Sequence, residues 1–312
     1  MDLSLVIPVK EESENLPQLF KEIWAAIEPT GMKFEVIVID DGSRDSTWEV
    51  VENLAKDYNI RPGASVNAFR FQFNCGKAAA LALGFSKARG KFVATLDGDL
   101  QDDPLEIPKM IDILESGYDL VSGWKIRRLD PWHKTLPSKL FNLTVSIVCG
   151  KRLHDFNCGI KVYRCSVVRF IQLYGDYHRF IPVMAKWQGF RITEMPVAHR
   201  ARVHGVSKYG VSRLVSGFLD LVSLMFMRSF SSKPLHFFGL FGLLLLILGL
   251  GICGYFGYEW IQTGAMHVRP LLLAGAFSLV MSIQFFSLGL LGEMMNGNKK
   301  RSYPVSETIG EL

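Results

Sequence analysis

The fold of this chain is organised around one stretch, Thr95-Leu-Asp-Gly-Asp-Leu-Gln-Asp-Asp-Pro104. The largely apolar run 92–96 ahead of its first aspartate predicts a short buried strand. Residues 104–111 predict a helix that is entered through an aspartate and an early proline. The four carboxylates of the stretch are therefore expected at the carboxyl end of a buried strand, where open α/β sheets bind their ligands.

Two interpretations fit this acidic cluster. Asp97, Asp99 and Gln101 offer the hard oxygen ligands that suit Mg²⁺ or Mn²⁺, and such an ion also binds a diphosphate. Alternatively, the cluster is a surface turn that caps the next helix. Within it we predict Asp99 and Gln101 as the main metal ligands, and Asp102 and Asp103 as the helix-capping residues.

The composition predicts a soluble body joined to a membrane portion. Of the 312 residues, 49% are hydrophobic, which is high for a soluble protein. The net charge is only +5, and the basic clusters favour contact with anionic lipid or phosphate over nucleic acid. The five cysteines form no C-x-x-C pair and argue for a reducing compartment. The chain enters a strand at Leu3 without a secretory signal region, so we expect the body to stay in the cytosol.

Residues 3–124 alternate strand and helix patterns. Apolar runs at 3–9, 34–39 and 91–96 predict strands, and the segment 66–73 can form a further strand between the last two. Helical patterns separate these runs, at 13–27, 46–56 and 77–88. Repeated β-α-β units of this kind predict an α/β fold with a doubly wound, mainly parallel sheet and right-handed crossovers.

Polar residues follow three of these strands, at 8–12, 40–43 and 97–99. A parallel sheet brings such strand ends to one edge, so we expect them to line one crevice. Asp40 is suited to accept hydrogen bonds from a nucleobase or a ribose. The segment 40–43 can also simply cap the following helix.

Lys77 ends the sequence Asn-Cys-Gly-Lys, which is similar to part of a P-loop. A P-loop is excluded because Phe71 and Ala78 stand where the motif needs Gly and Ser or Thr. Lys77 either faces an anion at the start of a helix or is simply solvated.

The order and spacing of four motifs carry a resemblance to a known family. Val-Ile-Pro-Val (6–9), Val-Ile-Asp-Asp-Gly-Ser (38–43), Asn-Cys-Gly-Lys (74–77) and the stretch 97–104 together resemble glycosyltransferase family 2, whose enzymes have the GT-A fold. Further features are similar to the polyprenyl-phosphate glycosyltransferases, which include bactoprenol glucosyltransferases and dolichol-phosphate mannose synthases. These features are Asp155 with Gly159, the run 205–209 and two terminal membrane spans.

The resemblance implies an inverting transfer of a sugar from a nucleotide donor to a lipid phosphate. It implies a metal on the Asp-x-Asp residues and Gln101, with Asp99 the chief ligand. It also implies a nucleoside near the ends of the first two strands, at Pro8, Glu11, Asp40 and Asp41. Relatives often have Asn-Glu after the first strand, whereas this chain has Lys-Glu-Glu-Ser at 10–13. Which of Glu11 and Glu12 faces the nucleotide therefore stays open.

Basic residues beyond the sheet are candidates for binding phosphate, because Arg makes bidentate contacts with phosphate oxygens. For the lipid phosphate we predict the group Arg127, Arg128 and Lys139. A solvated basic loop is the alternative for any one of them.

A second basic segment lies between 199 and 209. Arg200 and Arg202 occupy alternate positions of an extended segment and share a face, while Ser207 and Lys208 add a hydroxyl and an ammonium. This set suits the donor's diphosphate and the lipid phosphate. Alternatively, the segment is a basic strip that lies on the membrane, and the two roles are compatible.

By the same resemblance, Asp155 belongs to the active site. A phosphate monoester is already ionised near neutral pH, so Asp155 is either a general base or a positioning residue. The predicted catalytic residues are Asp99, Asp155, Arg202 and Lys208.

The last third of the chain predicts a membrane portion. Residues 211–230 have the pattern of an interfacial amphipathic helix, with a buried core helix as the alternative. The apolar runs 235–258 and 271–292 are long enough to cross a hydrocarbon core of about 30 Å. Lys233 precedes the first run and Lys-Lys-Arg at 299–301 follows the second, so the positive-inside rule places the body and the tail in the cytosol.

We therefore predict four segments: a cytosolic GT-A domain (1–210), an interfacial helix (211–233), two transmembrane helices (234–295) and a cytosolic tail (296–312). Small residues in the spans allow close helix packing, and with it a homo-oligomer: Gly251, Gly254, Gly257, Gly275 and Ser278. Gln284 is expected to bond across the hairpin.

These features predict an inverting glycosyltransferase of the cell inner (plasma) membrane. It would use Mg²⁺ or Mn²⁺ and move glucose from UDP-glucose onto undecaprenyl or another polyprenyl phosphate. A dolichol-phosphate-mannose-type synthase using GDP-mannose is the alternative. A processive polysaccharide synthase is disfavoured, because Ile192 stands where its Gln-x-x-Arg-Trp motif has Trp. A non-catalytic nucleotide or lipid sensor is the remaining alternative.

Overall fold

The computed structural model describes residues 1–126, 142, 144–150, 153–173, 175–198, 200, 219–226, 234–264 and 269–297. The described residues up to Asp220 form one compact unit, and those from Leu221 onward form another. Some of the predicted site residues lie outside the described residues, namely Arg127, Arg128, Lys139, Arg202, Ser207 and Lys208. Most of the predicted interfacial helix and nearly all of the predicted tail also lie outside them.

A mixed sheet of seven strands forms the centre of the first unit. The strands are β1 (Leu3–Val9), β2 (Phe34–Asp40), β3 (Ala64–Arg70), β4 (Phe92–Thr95), β5 (Leu120–Lys125), β6 (Lys161–Arg164) and β7 (Ile192–Val197). Their order is β3-β2-β1-β4-β6-β5-β7. Only β6 runs against its neighbours, since it pairs antiparallel with both β4 and β5. The predicted α/β fold with a mainly parallel sheet is confirmed.

Helices cover both faces of the sheet. They are α1 (Leu16–Ile27), α2 (Thr47–Asn59), α3 (Lys77–Lys87), α4 (Glu106–Glu115), α5 (Cys165–Phe170) and α6 (Ile181–Trp187). Leu5 and Ile7 of β1 belong to the core that also contains the apolar face of α1. Between them, Val6 faces Gly84 of α3 on the other side of the sheet. Burial on both faces explains why β1 and β2 are largely apolar.

The amino-terminal edge of the sheet is fixed by a buried carboxylate. Glu35 of β2 has no exposed surface. Its Oε1 accepts hydrogen bonds from Ser4 Oγ at 2.7 Å and from the Arg89 backbone N–H at 2.8 Å. Its Oε2 accepts one from Arg89 Nη2 at 2.7 Å. Burial acts to raise the pKa of Glu35, but these hydrogen bonds outweigh it and the pKa is lowered.

The second unit contains two antiparallel apolar helices, α7 (Pro234–Thr263) and α8 (Pro270–Gly297). Both are long and apolar enough to cross a membrane. Gly275 packs closely against α7, whereas Gly251, Gly254 and Gly257 face open space and take no part in the packing of the hairpin.

A hydroxyl joins the two helices of the hairpin. Ser282 Oγ is buried and donates a hydrogen bond to the carbonyl oxygen of Gly242 at 2.7 Å. Gln284, the residue predicted to bond across the hairpin, is exposed. The smaller side chain takes this role because it lies where the two backbones approach each other.

Candidate active site

A crevice of about 600 Å³ opens at the carboxyl ends of the parallel strands of the first unit. Residues from all three predicted strand ends line it, including Pro8, Glu11, Asp41, Asp97 and Asp99. They converge because β2 and β4 both pair in parallel with β1. The sequence-based expectation that these strand ends meet is confirmed.

The loops after β1 and β2 are tied to each other. Glu11 has a φ of +57°, which is uncommon for a non-glycine residue, and its N–H donates to Ser43 Oγ at 2.9 Å. The Glu12 N–H donates to Thr47 Oγ1 at 3.0 Å, and its carboxylate accepts a hydrogen bond from the Asn15 side chain. Both glutamates line the crevice, and the carboxylate of Glu12 is engaged beside the start of α1.

Asp40 and Asp41 both hold loops in place. Asp40 has no exposed surface; its Oδ1 accepts a hydrogen bond from the Ser43 N–H at 2.9 Å, and its Oδ2 lies 3.2 Å from Arg70 Nε. Asp41 accepts hydrogen bonds from the backbone N–H groups of Cys75 and Gly76, at 2.6 and 3.0 Å, just ahead of α3. The carboxylate of Asp41 thus occupies the start of α3, the position at which the sequence suggests that an external anion could bind.

The cap at the start of α2 comes from another residue. Asp45 Oδ1 accepts a hydrogen bond from the Thr47 N–H at 3.1 Å. The alternative interpretation of 40–43 as a helix cap is therefore wrong, because those residues join neighbouring loops instead.

Lys77 and Asp97 form an ion pair inside the crevice. The ammonium of Lys77, the first residue of α3, contacts Asp97 Oδ1 beyond the end of β4. Burial favours a neutral Asp97, but the Lys77 charge and hydrogen bond prevail and lower its pKa to about 2. Burial likewise opposes the charge of Lys77, whereas Asp97 outweighs it and raises the pKa of Lys77. Both groups are therefore charged.

Asp102 and Lys125 form a second ion pair beside the first. Asp102 is 1% exposed, and its Oδ1 lies 2.8 Å from Lys125 Nζ. The predicted capping role of Asp102 is wrong, because its carboxylate turns inward. Asp103 does cap the next helix region, since its Oδ1 accepts a hydrogen bond from the Leu105 N–H at 3.0 Å.

Because Gly159 has no side chain, the carboxylates of Asp97 and Asp102 can both lie close to it. A Cβ atom added there would lie 2.5 Å from Asp102 Oδ2 and 2.6 Å from Asp97 Oδ2. Any larger residue would therefore displace at least one carboxylate. The loop that carries Gly159 also lines the crevice.

The predicted metal ligands share the crevice. Asp97, Asp99 and Gln101 all line it, Asp99 is 6% exposed, and the Gln101 N–H donates to Asp99 Oδ1 at 3.3 Å. The described residues contain no group of three or more His, Cys, Asp or Glu side chains arranged around one ion. Mg²⁺ usually binds one or two carboxylates together with substrate phosphates. This donor set therefore fits an ion whose coordination a substrate completes.

Several crevice residues were missed in the sequence. Lys125, Lys161, His178 and Arg179 all line the crevice. Lys161 is 4% exposed, donates to the Cys158 carbonyl oxygen, and has a pKa that burial lowers. A lysine inside an apolar strand was the available signal for Lys161.

His178 is held in its neutral form. Burial first, and then the charges of Lys77, Arg179 and Lys161, lower the pKa of His178 to about 2. Its Nδ1 is buried and has no hydrogen-bond partner among the described residues. We therefore expect this imidazole to remain uncharged at any physiological pH.

Two predicted site residues lie at the border of the crevice. Asp155 is 1% exposed and accepts a hydrogen bond from the Asn157 N–H at 2.9 Å, next to the loop that lines the crevice. Arg200 donates to Glu22 Oε2 at 2.7 Å and to Asp103 Oδ2 at 2.6 Å. In this structure Arg200 thus binds two carboxylates of the protein.

Comparison with known proteins gives a family match and full-length relatives. Residues 4–171 match the family described as glycosyl transferase family 2. The chain is 39% identical to a dodecaprenyl-phosphate galacturonate synthase of Rhizobium johnstonii, over 95% of this chain and 88% of that protein. It is 33% identical to an undecaprenyl-phosphate 4-deoxy-4-formamido-L-arabinose transferase of Edwardsiella ictaluri, over 93% of this chain and 87% of that protein.

Solved structures with the same fold are more distant in sequence. The glucosyl-3-phosphoglycerate synthase of Mycobacterium tuberculosis, in complex with Mn²⁺ and UDP-glucose, aligns with a TM-score of 0.52 at 17% identity, covering 73% of this chain and 78% of that one. The mannosyl-3-phosphoglycerate synthase of Rubrobacter xylanophilus aligns with a TM-score of 0.55 at 16% identity, covering 73% of this chain and 74% of that one.

Proposed function

The chain belongs to glycosyl transferase family 2 and is a glycosyltransferase with a GT-A-like fold, and on this premise we propose that it transfers a sugar from a UDP-sugar to polyprenyl phosphate. One observation carries the proposal. The similarity to the dodecaprenyl-phosphate galacturonate synthase covers 95% of the chain and so includes apolar helices as well as the catalytic domain.

The proposed metal site consists of Asp97, Asp99 and Gln101, which supply carboxylate and amide oxygens in the crevice. A structural neighbour was solved with Mn²⁺ and UDP-glucose, which supports Mn²⁺ or Mg²⁺ here. A bound ion of this kind would neutralise charge on the departing nucleoside diphosphate.

The donor is proposed to lie along the ends of β1, β2 and β4. Pro8 and Glu11 line the crevice for the nucleoside, while Asp40 and Asp41 hold the loops that shape this end of it. Lys77 and Lys125 supply positive charge where the diphosphate would bind. Such preorganised charges stabilise a leaving group without rearrangement in the transition state.

The acceptor needs little activation. A phosphate monoester is ionised near neutral pH, so its oxygen attacks the anomeric carbon and inverts it as the nucleoside diphosphate leaves. Buried Asp155 then positions the loop that carries Gly159. The basic residues predicted to bind the phosphates remain part of this proposal: Arg127, Arg128, Lys139, Arg200, Arg202, Ser207 and Lys208. Arg200 has to release a carboxylate before it can contact a phosphate.

The proposed topology follows the predicted segments. The catalytic domain and the tail lie in the cytosol, residues 211–233 lie in the interface, and α7 and α8 cross the inner membrane. This arrangement anchors the enzyme in the membrane that holds its lipid substrate and lowers the entropy cost of their meeting.

The test is to incubate the purified protein with undecaprenyl phosphate, Mn²⁺ or Mg²⁺ and a panel of nucleotide sugars, and to identify the products by mass spectrometry. The panel contains UDP-glucose, the sequence-based prediction, together with UDP-galacturonate, UDP-4-deoxy-4-formamido-L-arabinose and GDP-mannose. We expect a glycosylated polyprenyl phosphate from one UDP-sugar. Absence of both lipid product and nucleotide release with every donor would refute the proposal.

A matched pair of variants separates catalysis from lipid binding. Asp97→Asn combined with Asp99→Asn is expected to lower transfer by at least about 100-fold, the scale of losing one transition-state contact, and to leave lipid binding intact. Asp57→Asn, an exposed aspartate of α2, should keep wild-type activity. Equal activity of the double variant and wild type would contradict the metal assignment.

A further inference from the structure

The Lys77–Asp97 pair joins two groups for which different external partners are proposed. Asp97 is a proposed metal ligand, and Lys77 is a proposed contact of the diphosphate. In this structure the ammonium of Lys77 contacts Asp97 Oδ1 directly. The cation is thus in the place where a divalent ion would approach that carboxylate.

The backbone at Lys77 is held firmly, so the contact is built into the fold. Asp41 accepts hydrogen bonds from the N–H groups of Cys75 and Gly76 immediately before Lys77. Asp97 follows β4, which pairs in parallel with β1. The side chain of Lys77 can move without disturbing these elements.

A divalent ion arriving alone meets an energetic obstacle at Asp97. Lys77 and the ion repel each other, so the ammonium has to leave the carboxylate. The ammonium then loses its carboxylate partner in a partly exposed crevice, and the loss of that attraction opposes binding of the ion. A diphosphate that arrives with the ion removes this obstacle, because its oxygens accept the displaced ammonium.

Lys125 and Lys161, which also line the crevice, are less suited to such an exchange. The side chains of Lys77 and Asp97 are 35% and 30% exposed, so both reach the open part of the crevice. The side chains of Lys125 and Asp102 are only 12% and 1% exposed. Lys161 is buried and donates to a backbone carbonyl.

We propose that Lys77 couples the two binding events: it pairs with Asp97 when no divalent ion is bound and moves to the diphosphate when the ion takes Asp97. The inference rests on the proposed metal-dependent binding of a nucleotide sugar. Coupling of this kind is reciprocal, so the ion strengthens diphosphate binding by the same factor as the diphosphate strengthens ion binding.

The test measures Mn²⁺ binding to the full-length protein in detergent by electron paramagnetic resonance, with and without saturating UDP. In the wild type we expect UDP to increase the Mn²⁺ affinity at least tenfold. In Lys77→Met, Mn²⁺ alone should bind about tenfold more tightly than to the wild type, and UDP should add less than threefold. Lys87→Met, an exposed lysine in the last turn of the same helix, should behave as wild type.

A conservative variant controls for the possibility that Lys77→Met misfolds. Lys77→Arg keeps the charge. The logarithm of its UDP-dependent increase in Mn²⁺ affinity should be at least half of the wild-type value. Equal Mn²⁺ affinity and equal UDP enhancement in wild type and Lys77→Met would overturn the inference, as would loss of coupling in Lys87→Met. Absence of Mn²⁺ binding and of sugar transfer in the wild type would instead overturn the proposed function.

Discussion

The Lys125–Asp102 pair provides a quantitative test of how the crevice is held together. Lys125 Nζ lies 2.8 Å from Asp102 Oδ1, and the two side chains are 12% and 1% exposed. The perturbation is Lys125→Met, which keeps an unbranched side chain of similar length and removes the charge. It leaves the Asp102 carboxylate buried beside Asp97 and Asp99.

The expected magnitude follows from distance and burial. Two unit charges 2.8 Å apart attract by about 6 kcal/mol at an effective dielectric constant of about 20. Desolvation offsets part of this attraction, and breaking a buried pair costs about 3–5 kcal/mol. We expect Lys125→Met to lower the free energy of unfolding by about 3–4 kcal/mol, which corresponds to about 6–16 °C in Tm for a domain of this size.

The assay is thermal unfolding in detergent, followed by tryptophan fluorescence. The double variant Asp102→Asn with Lys125→Met should recover most of the lost stability, because it removes both charges together. Lys109→Met breaks the surface pair with Glu106, in which Lys109 is 64% exposed, and should cost less than about 0.5 kcal/mol. A Tm of Lys125→Met within 2 °C of wild type, or a double variant as unstable as the single one, would refute the reasoning.

Three further predictions follow. His178 has a pKa of about 2 in the folded protein, below its unfolded value, so its stabilising contribution is lost as the pH falls below about 6.5. Between pH 7.5 and 5.5 the wild type should lose about 1 kcal/mol more than His178→Asn, measured by urea unfolding. Gly159→Ala should lower kcat/KM at least tenfold because its Cβ meets two carboxylates, whereas Gly251→Ala, which faces open space, should not. Glu35→Gln should cost about 2 kcal/mol at pH 7, and the loss should shrink as the pH falls from the ordinary glutamate pKa of 4.5 through the lowered pKa of Glu35 in the folded protein.

The fold was largely predictable because strands that are buried on both faces of a sheet have largely apolar sequences. β1 coincides with the apolar run 3–9, and β2 ends one residue beyond its run. β7 was not predicted, since Ile192–Val197 mixes Thr, Glu and Pro with apolar residues and lies at the sheet edge. The sequence also does not predict the antiparallel direction of β6, because strand direction depends on the path of the connecting chain.

The location of the site was predictable, but its pairings were not. Parallel topology brings the strand ends together, whichever side chains they carry. Lys77 and Asp97 are 20 residues apart, and their contact depends on how α3 packs on β1 and β2. The sequence predicts Asp102 as a helix cap because it stands next to Asp103 and has the same local pattern. Which of the two turns inward is decided by Gly159 and Lys125, more than 20 residues further along the chain.

These pairings imply a rule for what the crevice accepts. Among the carboxylates of the crevice, Asp97 and Asp102 are each paired with a lysine, so a bare divalent cation that takes Asp97, or a bare diphosphate that takes Lys77, leaves the other member of that pair without its partner. A nucleotide sugar carries one negative charge on each of its two phosphates, and a divalent ion cancels both. The ion and the donor can therefore enter as a neutral unit that exchanges partners with Lys77. Once the sugar leaves, the nucleoside diphosphate gains negative charge, and Lys77 lies where it can stabilise that change.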